Sequence, residues 1–507
     1  MTNRKQIFFN VMATYGRSLL ALAAGIFTSR WVLIVLGDTG YGLFVLVAGL
    51  AAVAAFANLV LAGTTTRYLG VAVGIGDTSN LRAWFKASVI LHGGAALLLV
   101  VVGYPVAEVA VRYWLTVPAE RIEACVWMLR WVFLTSLASI INTPCQAMFA
   151  AKGRLAETSV WGMTYIVTNV VVLGWMVKHP GDWMVTYVAI LFGAVVVSEG
   201  AVFLRAITLY PECRIGKGPL FNRDRIRQML QFSWWRLWGE IGPLTSVQGV
   251  SILVNKMFGP VYNASGGLAR VVATHTDALA QAVANTFTPI LANLHGGGER
   301  HSFVQMAYRS SFLSLFMFLL FALPLSVEIE AIFELWLKQI PPQMVAAARL
   351  LLVSAAFDET ARGFVQAVAA RGRVAKFYVL TGLIQATCLP IGWLCVYRGW
   401  GKFPTIFIVV AATHAVCAVV SAKMADQRVG TDWRVWLLQV VSPVTVAALT
   451  ALGMGLGFRM WLHDFSWIRI IVSCGVTMTV FVTLSIGFGW RWLDWRRNED
   501  SAYRAGT

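Results

Sequence analysis

Stretches of roughly 18 or more predominantly apolar residues recur along this chain from end to end. Each is long enough to cross a hydrocarbon core of roughly 30 Å at 1.5 Å per residue. About fourteen are present, the first at 7–36 and the last at 467–490. A backbone in lipid must satisfy its own hydrogen bonds, so spans of this length are expected to be helices. Composition agrees: 58% of the 507 residues are hydrophobic and 13% charged, about half the charged share of an ordinary soluble domain. The expectation is an all-α polytopic membrane protein.

The first span follows Arg4 and Lys5, as in a signal peptide, but its length of about 30 residues exceeds an h-region of 7 to 15, so it is read as retained. With a cytoplasmic N-terminus, about 23 of the 41 Lys and Arg fall in cytoplasmic loops and termini and about 9 in outer loops, the positive-inside pattern. Both termini are therefore expected on the cytoplasmic side of a bacterial inner membrane. The net charge of +17 is scattered over short loops, which points to anionic membrane lipids as partners and away from nucleic acid. The seven cysteines show no CxxC pair and mostly lie in spans, so they read as apolar filler, and neither metal nor cofactor is expected.

The longest hydrophilic connection, 208–227, divides the chain into a six-helix bundle at 1–207, a cytoplasmic basic linker, a second six-helix bundle at 228–424, two last helices at 434–490 and a cytoplasmic tail at 491–507. Span one ends in the turn Leu36-Gly37-Asp38-Thr39-Gly40-Tyr41-Gly42, and span seven ends in Phe258-Gly259-Pro260-Val261-Tyr262-Asn263, a recurrence after about 222 residues that suggests two repeats. The other loops are short, and no HExxH, GxSxG or P-loop is present. The expectation is a transporter, not an enzyme.

Polar residues inside spans carry the information, because a charge at the bilayer centre costs roughly 2.5 to 3.5 kcal/mol on insertion scales. In span one (7–36), Asn10, Thr14 and Arg17 share one face, with Arg17 roughly 15 Å from the start. Span four (125–150) carries Ser139, Thr143 and Gln146. Span seven (228–258) carries Arg236, Glu240, Gln248 and Asn255, interrupted by Pro243, which releases a backbone carbonyl at mid-helix. Span eight (261–292) aligns Arg270, Thr274, Asp277 and Gln281, and span ten (343–370) holds Asp358, Glu359 and Arg362. Each stripe also fits ordinary helix–helix glue. Arg236 with Glu240 and Asp358 with Arg362 have the spacing of intrahelical ion pairs. Arg17 and Arg270 have no acid three or four positions away, and a water-filled cavity with positive walls would explain them. Such a cavity suits a phosphate-bearing solute, since guanidinium grips phosphate bidentately. Glu240, Asp277, Asp358 and Glu359 are candidates for binding a coupling proton or sodium ion, Asp277 foremost.

Thr28-Ser29-Arg30, the Leu36–Gly42 turn, Ala62-Gly63-Thr64-Thr65-Thr66-Arg67-Tyr68-Leu69, Gly249-Val250-Ser251-Ile252-Leu253-Val254-Asn255 and the turn from Phe258 to Ala264 occur in that order. Together they resemble the polysaccharide transporters of the multidrug/oligosaccharidyl-lipid/polysaccharide (MOP) exporter superfamily, to which Wzx-type O-antigen flippases belong. The resemblance implies two six-helix bundles around a central cavity plus two C-terminal helices. It further implies alternating access and passage of an undecaprenyl-pyrophosphate-linked oligosaccharide, as in lipopolysaccharide and other polysaccharide biosynthesis, with glycan polymerase machinery as a further partner. The related lipid II flippases line their cavity with arginines, and by position Arg17, Arg30, Arg67 and Arg270 match here.

Two rival readings remain. A drug or cation antiporter of the same superfamily would want acids and few bases in its cavity, which the deep arginines oppose. A membrane-embedded polymerase or acyltransferase would want a large loop or a histidine in a polar pocket, whereas His92, His275 and His414 are isolated in the sequence.

Overall fold

The computed structural model describes residues 4–214, 221–296, 299–337, 339–371, 375–462 and 467–493. Among the described residues the chain is all helix, with no strand. In order the helices are α1 (Arg4–Ala54), α2 (Phe56–Ile75), α3 (Thr78–Trp114), α4 (Ile122–Ala151), α5 (Leu155–Met176), α6 (Met184–Leu209), α7 (223–258) and α8 (Pro260–Gly296). There follow α9 (Arg300–Val327), the short α10 (Ile329–Leu337), α11 (Met344–Arg371), α12 (Ala375–Tyr397), α13 (Phe403–Val429), α14 (Trp433–Trp461) and α15 (Trp467–Leu493).

Ten helices among the described residues are long and apolar enough to cross a membrane. Expected spans seven, eight and ten are absent from these ten, though their helices form as α7, α8 and α11, and spans one and two share the first of the ten, Ala23–Ala54. Polar faces on α7, α8 and α11 dilute their apolar character, and span two is interrupted at Ala55 between α1 and α2. This is a multi-pass membrane protein.

Compact packing separates two units, Met1–Val271 and Val272–Thr507, and the division falls inside α8. Within the first unit, α1 bends at Gly37, where φ 68° and ψ 173° interrupt the helical backbone, and α7 gives way to α8 at Gly259, where φ is 87° and ψ 179°. Both angles lie where a Cβ is strained, so glycine is required at each turn. Next to these turns the first unit has a close crossing: a Cβ on Gly42 would collide with the carbonyl oxygen of Pro260, and Asn263 Nδ2 donates to the Gly42 carbonyl at 3.0 Å. Helix α4 packs along α6 and helix α1 along α5.

In the second unit α11 packs against α9 and α13, and the last two helices, α14 and α15, pack on α9. Their contact with α9 closes through ion pairs at its C-terminal end. Fully buried Glu328 accepts from Arg469 at 3.2 Å and from Ser473 Oγ at 2.8 Å, and Glu330 meets Arg459 at 2.9 Å and Arg349 at 2.9 Å.

Candidate functional site

Polar side chains gather within the membrane-spanning helices of each unit separately. In the first unit, Arg17 is exposed on α1, with its guanidinium against α5 at Gly162. A methyl group at 162 would come within 2.8 Å of the guanidinium carbon, so the absent side chain is what gives Arg17 its room. Arg270, half-buried on α8, donates from Nη2 to the Ser246 carbonyl at 3.1 Å. That carbonyl belongs to a π turn, Thr245–Gly249, that follows Pro243 in α7. The hydrogen bond ties α8 to this irregular turn of α7.

The remaining candidates of the first unit are placed as follows. Arg30 is half-buried on α1. Arg67 is exposed at the α2 surface, with its guanidinium 4.2 Å from the Phe232 ring centre, a cation–π contact with α7. Asn255 is fully buried and exchanges hydrogen bonds with the main chain of Thr116, accepting at 3.2 Å and donating at 3.3 Å. Gln248 packs its side-chain oxygen against Gly49, and Glu240 and Ser139 are half-buried. Thr143 and Asn58 hydrogen-bond each other between α4 and α2. The side chains of Asn10, Thr14 and Arg236 lie outside the described residues, so the expected Arg236–Glu240 pair does too.

Gln146 leads to a residue the sequence reading passed over. Its Nε2 donates to both carboxylate oxygens of Glu199 on α6, at 2.9 and 2.8 Å, and Asn142 Nδ2 donates to a Glu199 carboxylate oxygen and, at 3.0 Å, to its carbonyl. Glu199 lies at mid-helix in α6, and its partners stand 53 and 57 residues away. An acid inside an apolar span was the available signal.

In the second unit, Arg362 on α11 is shared by two carboxylates: it pairs with Asp277 of α8 at 3.0 Å and with Glu359 one turn earlier on its own helix. Gln281 donates to the other oxygen of Asp277 at 2.5 Å. Glu359 is fully buried, and its second oxygen has no hydrogen-bond partner among the described residues. Two expectations are corrected here. Asp358 does not take Arg362, because its side chain is turned toward α13, where it meets His414 Nδ1 at 2.8 Å. His414 is accordingly not isolated. His92 is buried and bonds the Ser88 carbonyl within its own helix at 2.8 Å. Thr274 is exposed on α8.

Two acids around one guanidinium leave one negative charge over in a largely dehydrated place. A proton or a monovalent cation there would neutralise it. No cluster of three or more metal-ligating side chains occurs among the described residues.

No protein-family model and no curated protein matches the sequence. Solved structures do match. A lipid II flippase MurJ in an inward closed conformation aligns with TM-score 0.68 and 10% identity, over 96% of this chain and all of that one. An inward-facing multidrug-resistance MATE transporter of the MOP superfamily aligns with TM-score 0.61 and 13% identity, over 84% of this chain and 98% of that one. A MOP-superfamily transporter from Pyrococcus furiosus, reported for the reverse polarity of its binding pocket, aligns with TM-score 0.54 and 13% identity, over 84% and 96%. The chain has the fold these proteins share.

Proposed function

We propose that the chain is a MOP-superfamily transporter that moves a lipid-linked oligosaccharide, of the undecaprenyl-pyrophosphate type, from the inner to the outer leaflet of a bacterial inner membrane by alternating access. The observation that carries this reading is the flippase-like fold over 96% of the chain together with Arg17 and Arg270 set in its long helices α1 and α8. A pyrophosphate is the ligand that a planar, permanently charged fork suits, because two parallel N–H donors match its oxygens. Arg17 is exposed and has its guanidinium seated in the space left by Gly162, and Arg270 is held in place through one nitrogen by the Ser246 carbonyl.

The two six-helix bundles at 1–207 and 228–424 would be the moving parts, and the like conformations of Gly37 and Gly259 support a repeat between them. Asp277, Glu359 and Arg362 would form the coupling site, since their residual charge takes up one proton or sodium ion. O-antigen or another surface polysaccharide precursor is the cargo class this implies.

A cation or drug antiporter is the second reading, favoured by the fold match to multidrug-resistance transporters and by the same acids. One experiment separates them: purified protein in vesicles is given fluorescent lipid-linked oligosaccharide, and the leaflet of the label is read by a membrane-impermeant quencher. Loss of asymmetry in the label supports the flippase. Proton- or sodium-driven uptake of an organic cation, with no movement of the lipid, supports the antiporter.

A further inference from the structure

The start of α5 and the end of α6 meet at one membrane boundary. Both helices are apolar and long enough to span; Arg154 immediately precedes α5, and Arg205 lies four residues, about 6 Å, before the last residue of α6. Glu157 joins the two: one carboxylate oxygen accepts from Arg154 Nη1 at 3.4 Å and the other from Arg205 Nε at 3.0 Å. Each guanidinium is thus held through a single nitrogen, and both side chains stay nearly half exposed, at 46% and 49%. One positive charge is left over. Nearby, Lys152 is balanced by Glu212 at 3.1 Å, whereas Arg214 donates to the Ile207 and Thr208 carbonyls at the end of α6 and adds a second. Arg154 is the N-cap of α5 and gives that helix no side-chain acceptor, so its positive end adds to the same field.

A second observation is independent of charge. Tyr210, the residue after α6, is 7% exposed, and its hydroxyl is buried without a hydrogen-bond partner among the described residues. Buried polar atoms are nearly always satisfied, so this hydroxyl marks a place where an acceptor is missing. Arg154, Glu157 and Arg205 all act on it electrostatically, and Lys152 Nζ lies 5.9 Å from its ring centre, which puts it in the same cluster. Leu155 and Leu204, next in sequence to Arg154 and Arg205, are exposed apolar side chains on the two spans.

We infer that Arg154, Arg205 and Tyr210 form a binding site for the phosphodiester headgroup of an anionic phospholipid, whose acyl chains lie along Leu155 and Leu204. Guanidinium nitrogens not engaged by Glu157 donate to the phosphate oxygens, and the Tyr210 hydroxyl gains its acceptor as the long arginine side chains close on the phosphate. Glu157 opposes an anion, but two cations already share it, so the local balance stays positive. That surplus favours a headgroup with net negative charge over a zwitterion, which brings its own cation. The site depends neither on the proposed cargo nor on the orientation of the chain.

The test counts bound lipid. The full-length protein, purified and stripped of lipid in neutral detergent, is followed by native mass spectrometry as phosphatidylglycerol, phosphatidylcholine or inorganic phosphate is added. Phosphatidylglycerol is expected to bind about tenfold more tightly than phosphatidylcholine. Arg154→Gln and Arg205→Gln should each weaken it about tenfold, whereas Arg398→Gln, at an exposed arginine after α12, should leave it unchanged. Tyr210→Phe separates a built site from diffuse charge. It keeps every charge, should not lower the thermal midpoint of the lipid-free protein, and should weaken phosphatidylglycerol roughly fivefold. It also decides the matter if an arginine variant fails to assemble. Equal binding of the two lipids, or an affinity for phosphatidylglycerol unchanged in the arginine variants or in Tyr210→Phe, would overturn the site. Displacement of the lipid by inorganic phosphate would overturn it too, by assigning the cluster to a soluble anion.

Discussion

Gly37 and Gly259 hold nearly the same backbone conformation, φ 68° and ψ 173° against φ 87° and ψ 179°, at corresponding points of two helix–turn–helix segments. Each interrupts the helical backbone in a region, positive φ with ψ near 180°, that costs an L-residue on the order of 1 to 3 kcal/mol. Gly37→Ala and Gly259→Ala should each lower unfolding stability in detergent by about that amount, measured as a shift of the thermal midpoint. A neutral effect at either position would mean that the turn conformation is not maintained in the solubilised protein.

A sharper loss is expected at Gly42, where a Cβ has no free space against the Pro260 carbonyl. Overpacking of this kind costs about 1 to 3 kcal/mol, and the Asn263 hydrogen bond to the Gly42 carbonyl should be lost with it. Gly70→Ala, with nothing within 4 Å of the added methyl, is the control and should be silent by the same thermal assay.

Glu359 tests the charge arrangement of the second unit. Arg362→Leu leaves a fully buried acid without its cation, which ordinarily costs about 3 to 5 kcal/mol when the acid stays ionised. Adding Glu359→Gln to Arg362→Leu should recover most of that stability in the same preparation. If the double variant is no more stable than the single one, Glu359 is not the acid that needs Arg362. Asp277→Asn should fold and should abolish dependence of transport on a proton or sodium gradient; undiminished dependence would leave Asp277 as a counter-ion only.

Acid sensitivity should have a source at the start of α10. Burial works against ionisation of Glu330, yet its main-chain hydrogen bond, Arg349 and Arg459 hold the carboxyl below the usual range. A carboxyl depressed in the folded state contributes stability that is present above its unfolded value, roughly 4.3, and lost as pH falls through the folded value. Glu330→Gln should therefore flatten the acid side of the stability profile, with little change in its slope at neutral pH. An identical acid limb in the variant would assign the sensitivity elsewhere.

Much of the helical order was legible before the structure, because apolar runs long enough for a bilayer leave no other backbone solution. Side-chain partners were less so. Spacing alone paired Asp358 with Arg362, but positions three and four apart are both helix neighbours, and the choice was made by His414, 56 residues away on α13. Glu199 escaped notice because its amide partners sit on α4, 53 and 57 residues earlier, where no spacing along α6 points to them. The close seat of Arg17 depends on an absence, the missing side chain of Gly162, which no polar pattern records.

That seat yields its own expectation. Gly162→Ala asks only the far end of a flexible side chain to move and should be tolerated, whereas Gly162→Leu should displace the guanidinium and reduce export about as much as Arg17→Ala, at unchanged membrane abundance. Full export by Gly162→Leu would show that the place of Arg17 against α5 is immaterial.

The decisive measurement is surface polysaccharide in a strain lacking its own flippase, complemented with this chain and with variants at Arg17 and Arg270, with membrane abundance checked in parallel. Arg17→Ala and Arg270→Ala should each stop export, and Lys at either position should restore it only in part, since the charge returns without the bidentate fork. Full export by the Arg17→Ala, Arg270→Ala double variant would contradict a pyrophosphate held by these arginines.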